Sequence, residues 1–371
     1  MILKNCSFST PQGVTENFFS AVSADKYINF ESEAAALLAK YDAALANCSC
    51  SQESEVLLRI HLSDITNQQP VLEKLLANRR SFISIVGQAP ADRRIALEAW
   101  HWSNVSKVFN NSALQLQMQN YSPLWFRLEK TACTGSFDQT YEEFSALKDF
   151  LAQHNSNVKD HTVRTWLYCR DVDNNYAGLV QARNKFFAEN GLTADTHFIA
   201  STGIEGVNCD VKRLVKMDSI NYPALQAGQQ QYLAATDMLS PTALYGVSFE
   251  RATRLIFGDR SHYFISGTAS IDHLGKVLHI GNVLKQTERM LDNIEALLRE
   301  GNADLRDIKL CTLYLRDLTD AAAVEEIIFN RLDRNIPLVT LKAPVCRPTW
   351  LVEMECIAVN SKGCSQYPNF C

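Results

Sequence analysis

The sequence predicts an α+β protein in which one β–α–β–α–β unit occurs three times. An apolar strand that closes on an acidic turn appears as "VLLRIHLSDI" (56–65), "HTVRTWLYCRDV" (161–172) and "IKLCTLYLRDL" (308–318), with Asp64, Asp171 and Asp317 at matching places. Each such strand is preceded by a helix-like stretch: "SEAAALLAKYDAAL", "TYEEFSALKDFLAQH" and "NVLKQTERMLDNIEALLRE". Each unit then closes on an alternating strand, "RRIALEAWHW", "DVKRLVKMDSI" and "TWLVEMECIAV". With 371 residues, 46% apolar and 21% charged, the chain has the length and composition for two or three cores.

Taken in chain order, residues 1–120 form the first and most divergent unit and residues 121–220 the second. The acidic turns lie 107 and then 146 residues apart, and the excess falls at "NYPALQAGQQQYLAATDMLSPTALYG" (221–246). That stretch is polar and marked by Gly and Pro, so it reads as a connector. Residues 247–371 form the third unit. Within it, "SHYFISGTASID" (261–272) reads as a buried strand and "HLGKVLHIGN" (273–282) as a turn with a short strand. A long helix follows, with Leu284, Thr287, Met290 or Leu291, Ile294 and Leu298 on one stripe. Then come a strand (307–315), a helix (320–333), a strand (337–343) and the closing strand. A sheet with a single helical layer leaves its other face to be covered by neighbours, and three units around a pseudo-threefold axis would do so.

A net charge of −5 without any basic run argues against a nucleic-acid partner. The eleven cysteines are odd in number, contain no CxxC, and have only Cys48 and Cys50 as a close pair. Neither a zinc site nor a disulfide framework is expected. The start of the chain has no signal-peptide core, and no apolar run approaches the ~18 residues of a membrane span. The expectation is a cytoplasmic protein without a membrane partner, its thiols reduced and mostly buried, with Cys364 and Cys371 the most exposed. His273 and His279 flank a turn without a third ligand at metal spacing, so no metal is expected.

The segment "PVCRPTWLVEMECIAV" (344–359) carries Glu353 and Glu355 two apart in a run of strand character. Residues i and i+2 share a face of a strand, so both acids are expected to point the same way. If both enter one pocket, mutual repulsion raises the pKa of one, which suits a proton donor. For Glu355 a salt-bridged or edge carboxylate is the plainer reading.

"SGTASID", the stretch "QTERMLDNIEALLREGNADLRDIKLCTLYLRDLTD" and "VEMECIAV" together resemble the reactive-intermediate deaminase (RidA/YjgF) superfamily over about 110 residues. The resemblance implies three RidA-like (chorismate-mutase-like) modules forming a pseudo-trimer in one chain, with ligand sites in the clefts between modules. A monomer would then suffice, with oligomers left open. Deaminases of that superfamily hold a substrate carboxylate with an Arg shortly after the proline of the penultimate strand. Alignment on Pro337 puts Val339 there, which weakens imine or enamine deamination as a reading.

Five motifs in order resemble a narrower branch, the chorismatases, over about 200 residues: "TVRTWLY" (162–168), "ASTGIEG" (200–206), "YGVSFERA" (245–252), "SGTASID" (266–272) and "CRPTWLVEMEC" (346–356). This implies a cofactor-independent enzyme that cleaves chorismate, a small aromatic-precursor dicarboxylate, and releases pyruvate. Glu353, seven residues after Cys346, matches the family's catalytic glutamate and would protonate the enolpyruvyl methylene carbon. Two carboxylates need cationic forks, and Arg164, Arg251 and Arg347 lie inside the matching motifs; ordinary surface or helix-start charges are the plainer readings of the first two. Tyr245, Thr202, Thr268 and Ser270 are candidate hydrogen-bond partners of the substrate, and Gly203 and Gly267 would let backbone approach it. Cys346 resembles the 3-hydroxybenzoate-forming branch, whereas Ala269 resembles the hydrolytic branch that makes a dihydroxycyclohexadiene carboxylate. The competing functions are a non-catalytic module that senses a small carboxylate and, behind it, the deaminase.

Overall fold

A computed structural model describes residues 1–11, 15–23, 27–110 and 113–370; Cys371 and the side chain of Tyr245 lie outside the described residues. The first module holds β1 (Ile2–Ser9), β2 (Thr15–Val22), α1 (Phe30–Leu45), β3 (Glu55–Leu62), α2 (Ile65–Leu75), β4 (Phe82–Gly87), the two-residue β5 (Ala89–Pro90) and β6 (Ile95–Trp102). The second holds β7 (Ser106–Asn110), β8 (Ala113–Gln117), β9 (Leu124–Arg127), α3 (Ser136–Ala152), the single turn α4 (Val158–His161), β10 (Thr162–Cys169), α5 (Val172–Glu189), β11 (Ala200–Glu205) and β12 (Val215–Asn221). The third holds β13 (Gln230–Leu233), β14 (Ala252–Ile256), β15 (Ser261–Ala269), α6 (Val283–Glu300), β16 (Ile308–Leu315), α7 (Ala321–Arg331), β17 (Leu338–Lys342) and β18 (Val352–Asn360).

Each module builds one mixed sheet, in the orders β1-β2-β6-β3-β4, β11-β10-β12-β9-β8-β7 and β13-β14-β15-β18-β16-β17-β5. The three share one plan: β3, β10 and β16 each run parallel to the next strand of their module and antiparallel to its closing strand. The repeated aspartates start the helices that follow. Asp64 accepts from Asn67 N and Asp317 from Thr319 N, satisfying backbone donors that the first turn leaves open. Asp171 has a left-handed φ of 51° and makes no such bond. There Glu205 accepts from Asp171 N and Val172 N instead.

The sequence reading differs from the structure in three places. Residues 273–282 form turns with only an isolated bridge, Ile271 to Val277, because Asp272 Oδ1 accepts from the N–H groups of Leu274 and Lys276 and curls the chain. The segment 221–246 contributes β13, which pairs with β14, so part of the expected connector belongs to the third sheet. Strands β7 and β8 pair toward β9, so the second sheet begins before residue 121.

The helix-free faces of the sheets meet in a central core where Trp100, Trp125, Trp166 and Phe264 come together from all three modules. Separate clusters fill the space under the helices of the first and second modules. Opposite Arg59, Trp166 and Thr312 in the three registers stand Glu98, Asp218 and Glu355. Each module therefore places a carboxylate at the same strand position of its buried inner face, and each is paired with arginine or hydroxyl donors. Among the described residues no helix is long and apolar enough to cross a membrane.

Candidate active site

Two residues farther out in that register, His61, Tyr168 and Tyr314 face Ala96, Lys216 and Glu353. These are the corresponding positions of the three inter-module clefts, and only the one between the second and third modules carries a carboxylate. The first and second modules are bridged by reciprocal bonds between Gly87 and Val207, at 2.9 and 3.1 Å. Lys216 is buried there against Ser84 Oγ and Ile85 O, and burial pulls its ammonium down to about 7. Between the third and first modules, β17 pairs with β5 and Leu338 N donates to Ser20 Oγ.

The cleft between the second and third modules stays open, with a cavity of about 380 Å³. One wall is Ser201, Thr202 and Gly203 of β11 with Tyr176, Val180 and Arg183 of α5. The other is Arg251, Gly267, Ala269 and Ile271, closed by Cys346, Arg347, Trp350 and Glu353. Glu353 is 5% exposed, and its carboxyl is pushed up to about 8, by burial first and by the Glu355 charge second, against the pull of Arg164 and Arg251. Such a carboxyl still holds its proton at neutral pH. A Cβ at Gly267 would overlap the Glu353 carboxyl, so the glycine makes room for it. Cys346 lines the cavity with Tyr176 and is pushed up to about 12 by burial and by Glu353, so it stays a thiol.

Three guanidiniums reach this cavity. Arg251 is buried and donates to Ser240 O at 2.9 Å, which fixes its direction, and Arg347 lies 4.8 Å over the Trp350 ring. Arg183 is 1% exposed, yet its Nε and Nη2 have no hydrogen-bond partner. A buried guanidinium with open donors calls for an anion. The sequence reading missed both Arg183 and Tyr176. They occur in "VDNNYAGLVQARNKFFAE", where Tyr176, Val180 and Arg183 at i, i+4 and i+7 share a helix face; that spacing was the available signal.

Of the sequence candidates, Glu353, Arg251, Arg347, Thr202, Cys346 and Ala269 converge on the cavity with Gly203 and Gly267. Three others do not. Arg164 lies behind the wall, donating to Glu355 Oε2 at 2.7 Å and to Ser266 Oγ and Thr202 Oγ1, so its guanidinium is engaged inside the protein. Thr268 donates to Ser266 O and Ser270 to Leu278 O, each satisfying local backbone. The Tyr245 side chain is outside the described residues, although its neighbours Gly246 and Val247 line the cavity. Glu355 shares the strand face with Glu353 but is sealed inside, accepting from Trp166 Nε1, Arg59 Nη1 and Arg164 Nη2.

Val339 is buried; its register counterparts opposite Arg59 and Trp166 are Ser84 and Thr202. The open cleft therefore presents Thr202, and none of the three modules has arginine at that position. Among the described residues, no group of three or more His, Cys, Asp or Glu side chains is placed to hold a metal ion.

Residues 256–360 match the Endoribonuclease L-PSP family. A RutC family protein of Pyrococcus abyssi is 34% identical over 97 residues, 26% of this chain and 76% of that protein. A 3-hydroxybenzoate synthase of Streptomyces hygroscopicus is 36% identical over 124 residues, 29% of this chain and 35% of that enzyme. In three dimensions, a crystallised chorismatase superposes with a TM-score of 0.64, covering 82% of this chain and 93% of that one at 20% identity. At that identity the likeness is one of fold.

Proposed function

From the premise that this chain belongs to the RutC (RidA/YjgF) family and has the three-module fold of a chorismatase, we propose that it cleaves chorismate and releases pyruvate. The observation that carries the proposal is Glu353, a carboxyl buried in a cavity reached by Arg183, Arg251 and Arg347, where burial pushes it up to about 8. The 3-hydroxybenzoate synthase similarity supports the same reading, although the aligned stretch spans about a third of that enzyme.

Chorismate brings two carboxylates and an enolpyruvyl ether. The open donors of Arg183 suit one carboxylate, and Arg251 with Arg347 suits the other. With the ligand so held, Glu353 protonates the methylene carbon of the vinyl ether and leaves an oxocarbenium ion on the adjacent carbon. Water capture gives a hemiketal that collapses to pyruvate and a dihydroxycyclohexadiene carboxylate. Attack of the neighbouring ring hydroxyl on the ether-bearing ring carbon instead breaks that carbon's bond to the ether oxygen and expels pyruvate. The resulting epoxide opens and loses a ring proton to give 3-hydroxybenzoate. Cys346 and Ala269 both line the cavity, and we favour the second product because the neutral Cys346 thiol takes space beside Glu353 that water would otherwise fill. In this reading the steps use the protein's own side chains and need no cofactor.

The test is incubation of purified protein with chorismate, measuring pyruvate with a coupled assay and the ring product by chromatography. Release of pyruvate, lost in a folded Glu353→Gln variant, is the expected result. Absence of pyruvate from the wild type overturns the reading. Stabilisation by chorismate without turnover would indicate a sensing module instead. Thr202 at the position where the deaminases carry arginine leaves imine deamination without its carboxylate anchor.

A further inference from the structure

Behind the cavity wall, the interior holds a charge cluster that no single module could build. Glu355 of β18 accepts from Arg59 Nη1 of β3 at 3.3 Å, from Arg164 Nη2 of β10 at 2.7 Å and from Trp166 Nε1 at 2.8 Å. Arg59 also donates to Glu98 Oε2 of β6 at 3.2 Å, and Glu98 Oε1 accepts from Thr312 Oγ1 at 2.6 Å. Every one of these residues is less than 5% exposed. The second module thus gives an arginine and a tryptophan, the third gives the carboxylate, and the divergent first module gives a guanidinium.

We propose that this cluster acts through Glu355 to set the protonation of Glu353, with Arg59, Arg164 and Glu355 as positioning residues of the active site. The inference rests on Glu353 being the proton donor of the proposed reaction. Glu355 stands two residues from Glu353 on one strand face, a separation of about 7 Å, and both side chains are buried. Three donors, two of them guanidiniums, hold the Glu355 carboxyl oxygens in place, and a negative charge at that range opposes a second one.

The groups facing Glu353 come from five elements: Tyr314 opposite it on β16, Arg164 on β10, Arg251 ahead of β14, Cys346 and Arg347 ahead of β18, and Tyr176 with Arg183 on α5. Those facing Glu355 are Arg59, Glu98, Arg164, Tyr168, Tyr314 and the adjoining Cys356. Burial first and the Glu355 charge second hold Glu353 up, and Arg164 and Arg251 pull the other way. Balance between them, rather than burial alone, keeps the donor loaded at neutral pH without making it too weak an acid.

The experiment follows the carboxyl itself. Infrared titration of the Glu353 C=O band, identified by difference from Glu353→Gln, is run on the full chain with and without Glu355→Gln. The glutamine amide can still accept from Trp166 and the arginines but carries no charge, so the Glu353 midpoint is expected to fall by roughly one unit or more. The alkaline limb of pyruvate release should fall with it. Glu355→Asp, which keeps the charge, should hold the midpoint within roughly half a unit of wild type. An unchanged midpoint in folded Glu355→Gln overturns the proposal. Should that variant not fold, Glu98→Gln decides: freeing Arg59 for Glu355 lowers the midpoint in the same direction, and no shift there also overturns it. If wild-type protein yields no pyruvate, the chorismate reading fails, while the infrared titration still decides whether the cluster governs Glu353.

Discussion

Arg164 donates to Glu355 at 2.7 Å across the boundary between the second and third modules, with both side chains almost fully buried. An arginine that looks like a substrate anchor in its motif is therefore a structural tie. Removing Arg164 leaves the buried Glu355 with only Arg59 and Trp166 as donors, at a cost of up to about 3 kcal/mol, the low end for breaking a buried ion pair. Arg164→Met should lower the urea midpoint by a corresponding amount. A substrate anchor would behave otherwise, raising KM while leaving the unfolding curve in place.

Arg183 predicts the converse. Its Nε and Nη2 are unpartnered and its guanidinium lies 5.8 Å over the Phe249 ring, with no carboxylate paired to it among the described residues, so truncation strands no charge. Charge-assisted bonds to a ligand are worth about 1.5–3 kcal/mol, so Arg183→Met should raise KM for chorismate roughly 10- to 100-fold. Its melting temperature should change by no more than a few degrees. Steady-state kinetics and a thermal scan on the same preparation check both halves, and an unchanged KM would remove Arg183 from the site.

The contrast between these arginines shows what the sequence could and could not reveal. The acidic turns at Asp64, Asp171 and Asp317 exposed the threefold plan because strand ends and helix starts are local chemistry. Glu353, Arg251, Arg347 and Cys346 were legible because they sit in contiguous motifs. Arg183 was not, since a helix face shows an inward-pointing charge only once its packing partner is known. Arg164, Thr268 and Ser270 look like site residues because they flank residues that line the cavity, but Glu355 and the backbone carbonyls of Ser266 and Leu278 draw their donors inward. The cavity between the second and third modules also escaped the sequence, because it depends on residues far apart in the chain, such as Thr202 and Gly267, meeting across the module boundary.

Gly267 tests the fit of the donor. Its backbone does not require glycine by φ, but an added Cβ would overlap the Glu353 carboxyl and approach Thr202 Cγ2 at 3.1 Å. Gly267→Ala should displace the carboxyl from its place in the cleft and lower kcat about 100-fold, since small misplacements of a reacting group carry costs of that order. The circular dichroism spectrum should stay that of the wild type. Retention of full kcat in the alanine variant would mean that Glu353 does not work from its observed position.

Glu353 finally links activity and stability through one proton. Its carboxyl moves from an ordinary value of 4.5 to about 8 in the folded chain. A general acid acts while protonated, so pyruvate release should be level up to about pH 8 and fall close to tenfold per unit above it. The stability sign follows from the same shift. Between the two values the folded state binds a proton that the unfolded state has released, so stability declines as pH rises through that window. The loss amounts to about 1.4 kcal/mol per pH unit for one group. Glu353→Gln has no such proton to lose, so the variant should gain on the wild type by about 2–4 kcal/mol between pH 5 and pH 8 in urea unfolding. Parallel curves for the two proteins across that range would show that Glu353 is already ionised in the folded state, and the proton donor would have to be sought elsewhere in the cleft.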